Sequence, residues 1–182
     1  YLDLHKRAVD FCAMAGIPAM HSHFGFIPEE PTNELYPGFI EVMRDLCQYA
    51  KDKGVMIFCE TGQETPFTLA RAIEDIGLDN LGVNLDPANL ILYGKANPVD
   101  ALLLIGKYVR DVHAKDGVYP DAGHSFGKET PLGQGHVDFP AFIAGLKNCG
   151  YDGVVTIERE ISGEQQTKDI IETLDYLKKI LR

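Results

Sequence analysis

The chain has 182 residues, 45% of them hydrophobic, and a formal charge of −10 at pH 7. That is enough for one domain with a substantial core, and without a run of about eighteen apolar residues no membrane-crossing helix is expected. The acidic balance argues against a nucleic-acid binder, which needs clustered Lys and Arg, but excess carboxylates can be neutralised by a bound cation.

The first residues, Tyr1-Leu2-Asp3-Leu4-His5, start inside an amphipathic pattern. They have no basic segment, apolar stretch or cleavage site, so they do not read as a secretory signal. No initiating methionine is present, and the reading expects further residues to precede this stretch in a longer protein. A helix is expected over residues 3 to 15, with Leu4, Ala8, Phe11 and Cys12 on one face and Gly16 as its stop. Ile17 to His23 reads as a strand, and a long helix follows from Glu34 to Lys53 with Leu35, Phe39, Val42, Leu46 and Tyr49 as its stripe. The run from Gly54 to Glu60 is a buried strand ending abruptly in a carboxylate. Thr65 then caps a helix from Pro66 to Ile76, which Gly77 stops.

Residues 81 to 86 form the next strand, Asn97-Pro98 opens a helix ending near Gly106, and residues 109 to 113 make another strand. Lys115 to Val137 is expected to be one long loop, rich in glycine, of the length that covers functional sites. Asp138 caps a helix to Asn148, a strand runs from Gly153 to Glu158, and the last helix places Ile170, Leu174, Leu177 and Leu181 on one face. Cys12, Cys47, Cys59 and Cys149 are widely spaced in apolar runs and form no C-x-x-C pair. They read as reduced core thiols of a cytosolic protein.

Five strands alternating with helices, apolar enough to be buried on both faces, give an α/β fold with a parallel sheet. Four successive strands end in a metal-ligating side chain: Glu60, Asp86, His113 and Glu158. Function spread over consecutive strand ends favours a (β/α)8 barrel over an open sheet. Three carboxylates converging on one rim repel each other unless their pKa values rise or a cation holds them together. Three oxygens and one imidazole suit Mn²⁺ or Mg²⁺, and also Co²⁺ or Zn²⁺.

The residues that carry this pattern resemble those of the xylose isomerase-like TIM-barrel superfamily of sugar isomerases and epimerases, which includes ketose 3-epimerases and sugar-phosphate isomerases. The matching pieces are Ser22-His23-Phe24-Gly25-Phe26-Ile27-Pro28, Glu60-Thr61-Gly62-Gln63-Glu64-Thr65, Asn84-Leu85-Asp86-Pro87-Ala88-Asn89, Val112-His113-Ala114-Lys115-Asp116, Gly133-Gln134-Gly135-His136-Val137-Asp138 and Ile157-Glu158-Arg159-Glu160. The resemblance implies that Glu60, Asp86, His113 and Glu158 are the metal ligands, from strands five to eight of a barrel. Only the last five βα units would then be present in this single domain of residues 1 to 182, with units one to three, on the order of 90 residues, missing.

Moving a proton beside a carbonyl needs a base, an acid and a stabiliser for the enediolate oxygen. Glu60 and Glu158, arriving from opposite sides, are the expected catalytic pair. Return of the proton to the same carbon gives epimerisation, and return to its neighbour gives aldose–ketose isomerisation. Expected substrate contacts are His23, Asn89, Lys115 and Arg159. Each has a structural alternative: a structural histidine, a cap, a pair with Asp116, and a salt bridge to an acidic neighbour, respectively. His124 and His136 read as solvated.

The partner is then a small sugar or sugar phosphate, with no nucleic acid and no membrane. Open sheet edges suggest pairing with a second copy, a homo-oligomer. Two rival readings remain: an endonuclease IV-like DNA repair hydrolase, which would need a histidine where Asn89 stands, and a non-catalytic metal-binding barrel relative.

Overall fold

The computed structural model describes residues 2–181. Helix α1 (Leu2–Ala15) precedes β1 (Ala19–Ser22), α2 (Tyr36–Asp52) precedes β2 (Met56–Glu60) and α3 (Pro66–Ile76) precedes β3 (Leu81–Leu85). A short α4 (Pro87–Leu92) follows at once, then α5 (Pro98–Ile105) and β4 (Val109–Ala114). The hairpin strands β5 (Asp116–Val118) and β6 (Lys128–Thr130), α6 (Phe139–Asn148), β7 (Val155–Ile157) and α7 (Glu164–Ile180) complete the chain.

The helix starts follow from local chemistry. The side chains of Thr65, Asn97 and Asp138 accept hydrogen bonds from first-turn N–H groups of α3, α5 and α6, and each helix has proline in that turn. These caps satisfy donors that have no partner within the helix. Gly77 ends α3 at φ 70°, a left-handed conformation that a side chain would resist.

The five main strands run parallel in the order β1-β2-β3-β4-β7 and curl into half of a barrel. Their faces differ. Ile57 and Cys59 of β2, Leu81, Val83 and Leu85 of β3, and Val112 and Ala114 of β4 join the helices in the apolar core. The alternate positions, Glu60, Asn84, Asp111 and His113, are polar and point to the other face, as the two-residue period of a strand requires. The strands are therefore more alternating than their apolar runs advertise.

Several expectations change. Residues 115 to 137 are not one loop: β5 and β6 pair antiparallel, with Asp116 opposite Thr130. The Asp116 carboxylate accepts from the backbone N–H groups of Gly117, Gly133, Gly135 and Val137 at 2.8 to 3.1 Å, so one buried side chain gathers both ends of the hairpin. A Cβ at Gly135 would collide with that carboxylate and with the Gly117 carbonyl. Helix α4 has no counterpart in the sequence reading; it starts at Asp86, whose Oδ1 accepts from Asn89 N–H at 3.1 Å.

The helical stripes are rotated. In α2 the buried set is Tyr36, Ile40, Met43, Leu46, Cys47 and Ala50, while Leu35 and Val42 are exposed. In α1 Val9 and Cys12 are buried while Leu4 and Phe11 are exposed. In α7 Asp169, Thr173 and Leu177 are buried, whereas Ile170, Leu174 and Leu181 are exposed. Cys12, Cys47 and Cys59 are buried free thiols, but Cys149 lies at the surface, contrary to expectation. Among the described residues, no helix is long and apolar enough to cross a membrane.

Candidate metal centre

Glu60 ends β2, Asp86 directly follows β3, His113 lies in β4 and Glu158 directly follows β7. Parallel pairing places these strand ends side by side, and Glu158 N–H donates to Ala114 O at 3.2 Å to extend the pairing. One donor atom from each of the four side chains lies within 4.8 Å of the others. His113 Nδ1 is 2.8 Å from Glu158 Oε2, 3.5 Å from Glu60 Oε1 and 3.7 Å from Asp86 Oδ2.

Two details favour a cation at their centre. Asp86 Oδ2 and His113 Nδ1 are buried yet make no hydrogen bond, although opposite charges approach each within 4 Å. Buried polar atoms are seldom left so. With His113 neutral, Glu60, Asp86, Glu158 and the adjoining Glu160 outnumber the one Lys115 ammonium among them, an excess of negative charge that a divalent ion relieves.

The surroundings fix these donors. Thr61 Oγ1 donates to Asp86 O at 2.8 Å and accepts from Asp86 N–H at 2.9 Å. The Asn84 amide meets His113 Nε2 at 3.0 Å and His21 Nδ1 at 3.2 Å, and His21 Nε2 lies 3.2 Å from Asp111 Oδ2. Turned with Oδ1 towards His113, the Asn84 amide accepts from Nε2–H and leaves a lone pair on Nδ1 for a metal.

Protonation follows from the same contacts. Burial opposes charge on His113, but Asp86, Glu158 and Glu60 outweigh it and push the imidazole up to about 11. The His113 contact holds Glu158 down at about 2, with Lys115 assisting and burial opposing. Glu60 is lowered too: burial works against this, but His113 and His23 prevail. Asp86, wholly buried, is raised by loss of solvent despite His113 and Lys115.

A family model described as "Xylose isomerase-like TIM barrel" matches residues 1–180. The chain belongs to this family. A xylose isomerase domain protein from Planctomyces limnophilus is 38% identical with a TM-score of 0.90, over 98% of this chain and 63% of that one. A D-tagatose 3-epimerase-like protein is 26% identical with a TM-score of 0.74, over 97% and 66% of the two chains. An uncharacterized protein of Methanocaldococcus jannaschii is 29% identical over 170 residues, covering 87% of this chain and 55% of that protein. This chain thus spans only part of the length of its relatives.

Within this xylose isomerase-like half-barrel the other expected residues separate. His23 stands at the rim, its Nε2 3.8 Å from Glu60 Oε2. Asn89 Nδ2 donates to Thr61 O at 3.0 Å and approaches Glu60 Oε1 at 3.4 Å. Lys115 is 2% exposed and does not pair with Asp116; its Nζ lies 2.8 Å from Glu160 Oε2, 3.3 Å from Asp86 Oδ2 and 3.5 Å from Glu158 Oε2. Arg159 turns away from the cluster to Asp169 at 2.7 Å and Glu129 at 3.0 Å. His124 and His136 are exposed, with His136 stacked on Tyr119.

Sequence reasoning missed His21, Asn84 and Asp111. Counting back two residues from His23, Asp86 and His113 finds all three, because alternate strand positions share a face. Beyond Glu60 two adjoining cavities of about 140 and 300 Å³ share Gln63, Glu64 and Tyr93; the smaller reaches His23 and the larger Lys95 and Phe126. Phe126 comes from the segment between β5 and β6, so that hairpin lines the larger cavity.

Proposed function

We propose that the protein is a divalent-metal-dependent sugar isomerase or epimerase that moves a proton beside a ketose carbonyl with Glu60 and Glu158. The convergence of Glu60, Asp86, His113 and Glu158, with buried Asp86 Oδ2 and His113 Nδ1 lacking hydrogen-bond partners, carries this reading. The likeness to a D-tagatose 3-epimerase-like protein supports it. These four residues would hold one ion, Mn²⁺ or Mg²⁺ by their oxygen-rich set, which Co²⁺ or Zn²⁺ could replace. When bound, the ion supplies Lewis acidity and a template for a carbonyl and its neighbouring hydroxyl.

Glu60 and Glu158 border the opening on either side of the centre, where a carboxylate can reach the substrate and accept a proton. One takes the proton from carbon and the other delivers a proton to the planar enediolate from the opposite face, giving epimerisation. Asp86, enclosed and tied to Thr61, takes no part in that exchange and serves to hold the ion. His23 and Asn89, next to Glu60, orient substrate hydroxyls, and Lys115 supplies fixed positive charge behind the carboxylates.

The test is hydrogen–deuterium exchange at carbon in a panel of free ketoses in D₂O, followed by NMR with the Mg²⁺-loaded protein. Exchange that requires metal and disappears in both Glu60→Gln and Glu158→Gln is expected. Saturable metal binding without exchange in any ketose would leave a metal-binding barrel with no such chemistry.

A further inference from the structure

Barrel enzymes that take phosphorylated substrates commonly hold the phosphate at the loops after the seventh and eighth strands, on backbone N–H groups and a helix N-terminus. The corresponding position here is the turn from β7 into α7. It contains a cation, Arg159, and an outward N–H, that of Glu160. Both already have an anion. Glu129, carried on β6, accepts from Glu160 N–H with both carboxylate oxygens at 3.0 and 3.1 Å, and its Oε1 lies 3.0 Å from Arg159 Nη1. Arg159 Nε donates to Asp169 Oδ2 at 2.7 Å.

The other cations around the rim are matched as well. Lys115 is enclosed by Asp86, Glu158 and Glu160, and Lys95 lies 3.8 Å from Glu29. Glu164 adds a further negative charge to the first turn of α7. A phosphate dianion would enter a field of carboxylates, with Arg159, Lys115 and Lys95 each already beside one.

We infer that Glu129 is a specificity-determining residue: its carboxylate fills the anion position in the turn that follows Glu158, so that the substrate is a free ketose and not its phosphate ester. The inference deepens the isomerase reading and rests on it for the word substrate, but the occupied anion position can be tested by itself. Glu129→Gln keeps shape and an acceptor for Glu160 N–H while removing the charge; Glu129→Ala empties the position. Inorganic phosphate is titrated into wild type and both variants, followed by the Arg159 Nε–H NMR signal and by calorimetry.

Wild type should show no saturable response at Arg159, and the variants should gain phosphate affinity by at least about tenfold, the scale of one charge-assisted contact. Phosphate binding at Arg159 in wild type, or no gain in either folded variant, would overturn the inference. In parallel, carbon-bound hydrogen exchange is compared for D-fructose and D-fructose 6-phosphate with Mg²⁺-loaded wild type. Equal or faster exchange of the phosphate ester also overturns it. Exchange of neither sugar counts against the isomerase reading, and the phosphate titration still decides the role of Glu129.

Discussion

The inner and outer halves of the candidate centre are built differently. Asp86, just after β3, and His113, in the neighbouring β4, have side chains 0% and 12% exposed; the Asp86 carboxylate accepts from Asn89 N–H, and His113 Nε2 meets the Asn84 amide. Glu60 and Glu158, at the ends of β2 and β7, are 15% and 29% exposed and border the opening. In the proposed reaction the difference matches two tasks, holding an ion and moving a proton. A holding ligand gains from burial and a locked orientation, whereas a proton carrier must reach the substrate and turn between protonation states.

Mutations can break that division. The largest effect is expected for Glu60→Gln, which should slow carbon-bound hydrogen exchange in a responsive ketose by about 10² to 10⁴-fold, the usual weight of a positioned general base. Its metal affinity should fall less than its exchange rate, because Glu60 borders the opening, where water can take the place of the lost carboxylate oxygen. Equal losses in exchange and affinity would erase the distinction between the halves.

Next, Asp86→Asn should weaken Mn²⁺ binding by at least about 100-fold in calorimetric titration, the upper end of what loss of an outer partner costs. Near wild-type affinity would remove Asp86 from the ligand set. Asn84→Leu tests the support behind His113 and should lower affinity by about 10-fold without touching any ligand. An unchanged constant would make the Asn84 contact incidental.

The smallest effect concerns protons. In the metal-free protein His113 has its pKa raised from 6.5 to about 11, so the ion pairing contributes stability that is fully present below about 6.5 and is lost as pH rises through about 11. An ion needs the neutral imidazole, so at pH 7 its binding should release about one proton and its affinity should climb with pH. Calorimetry in two buffers of unlike ionisation enthalpy measures the number; heats that do not depend on buffer would contradict it.

The candidate ligands were legible because each ends or follows an apolar run, and a charged side chain in that place is conspicuous. Thr65, Gly77 and Asp138 were legible for a similar local reason: a cap or stop acts within one turn of chain. Asn84 and Asp111 were hidden by the assumption that parallel strands are apolar on both faces, which fails where one face carries a cluster of polar side chains. The α2 stripe was misplaced because Leu35, Phe39 and Val42 compete with Tyr36, Ile40 and Met43, and periodicity alone cannot choose between two adjacent apolar stripes. In α7 the inward Asp169 is explained by Arg159, a partner ten residues away that no helical pattern reveals. The hairpin escaped notice because its organiser, Asp116, binds backbone N–H groups, and these leave no mark in the order of side chains.

The reciprocal clasp between Thr61 and Asp86 bears on ion choice. It ties the residue after Glu60 to the backbone of Asp86, so the spacing of the two strand ends that carry these carboxylates is a built-in gauge, set by the chain itself. Mg²⁺ prefers oxygen distances of about 2.0 to 2.1 Å and Ca²⁺ about 2.3 to 2.6 Å. An ion that fits the gauge binds without stretching the clasp, and a larger one must open it against two hydrogen bonds. In the proposed centre, selection of one cation over another would begin with a threonine outside the ligand set.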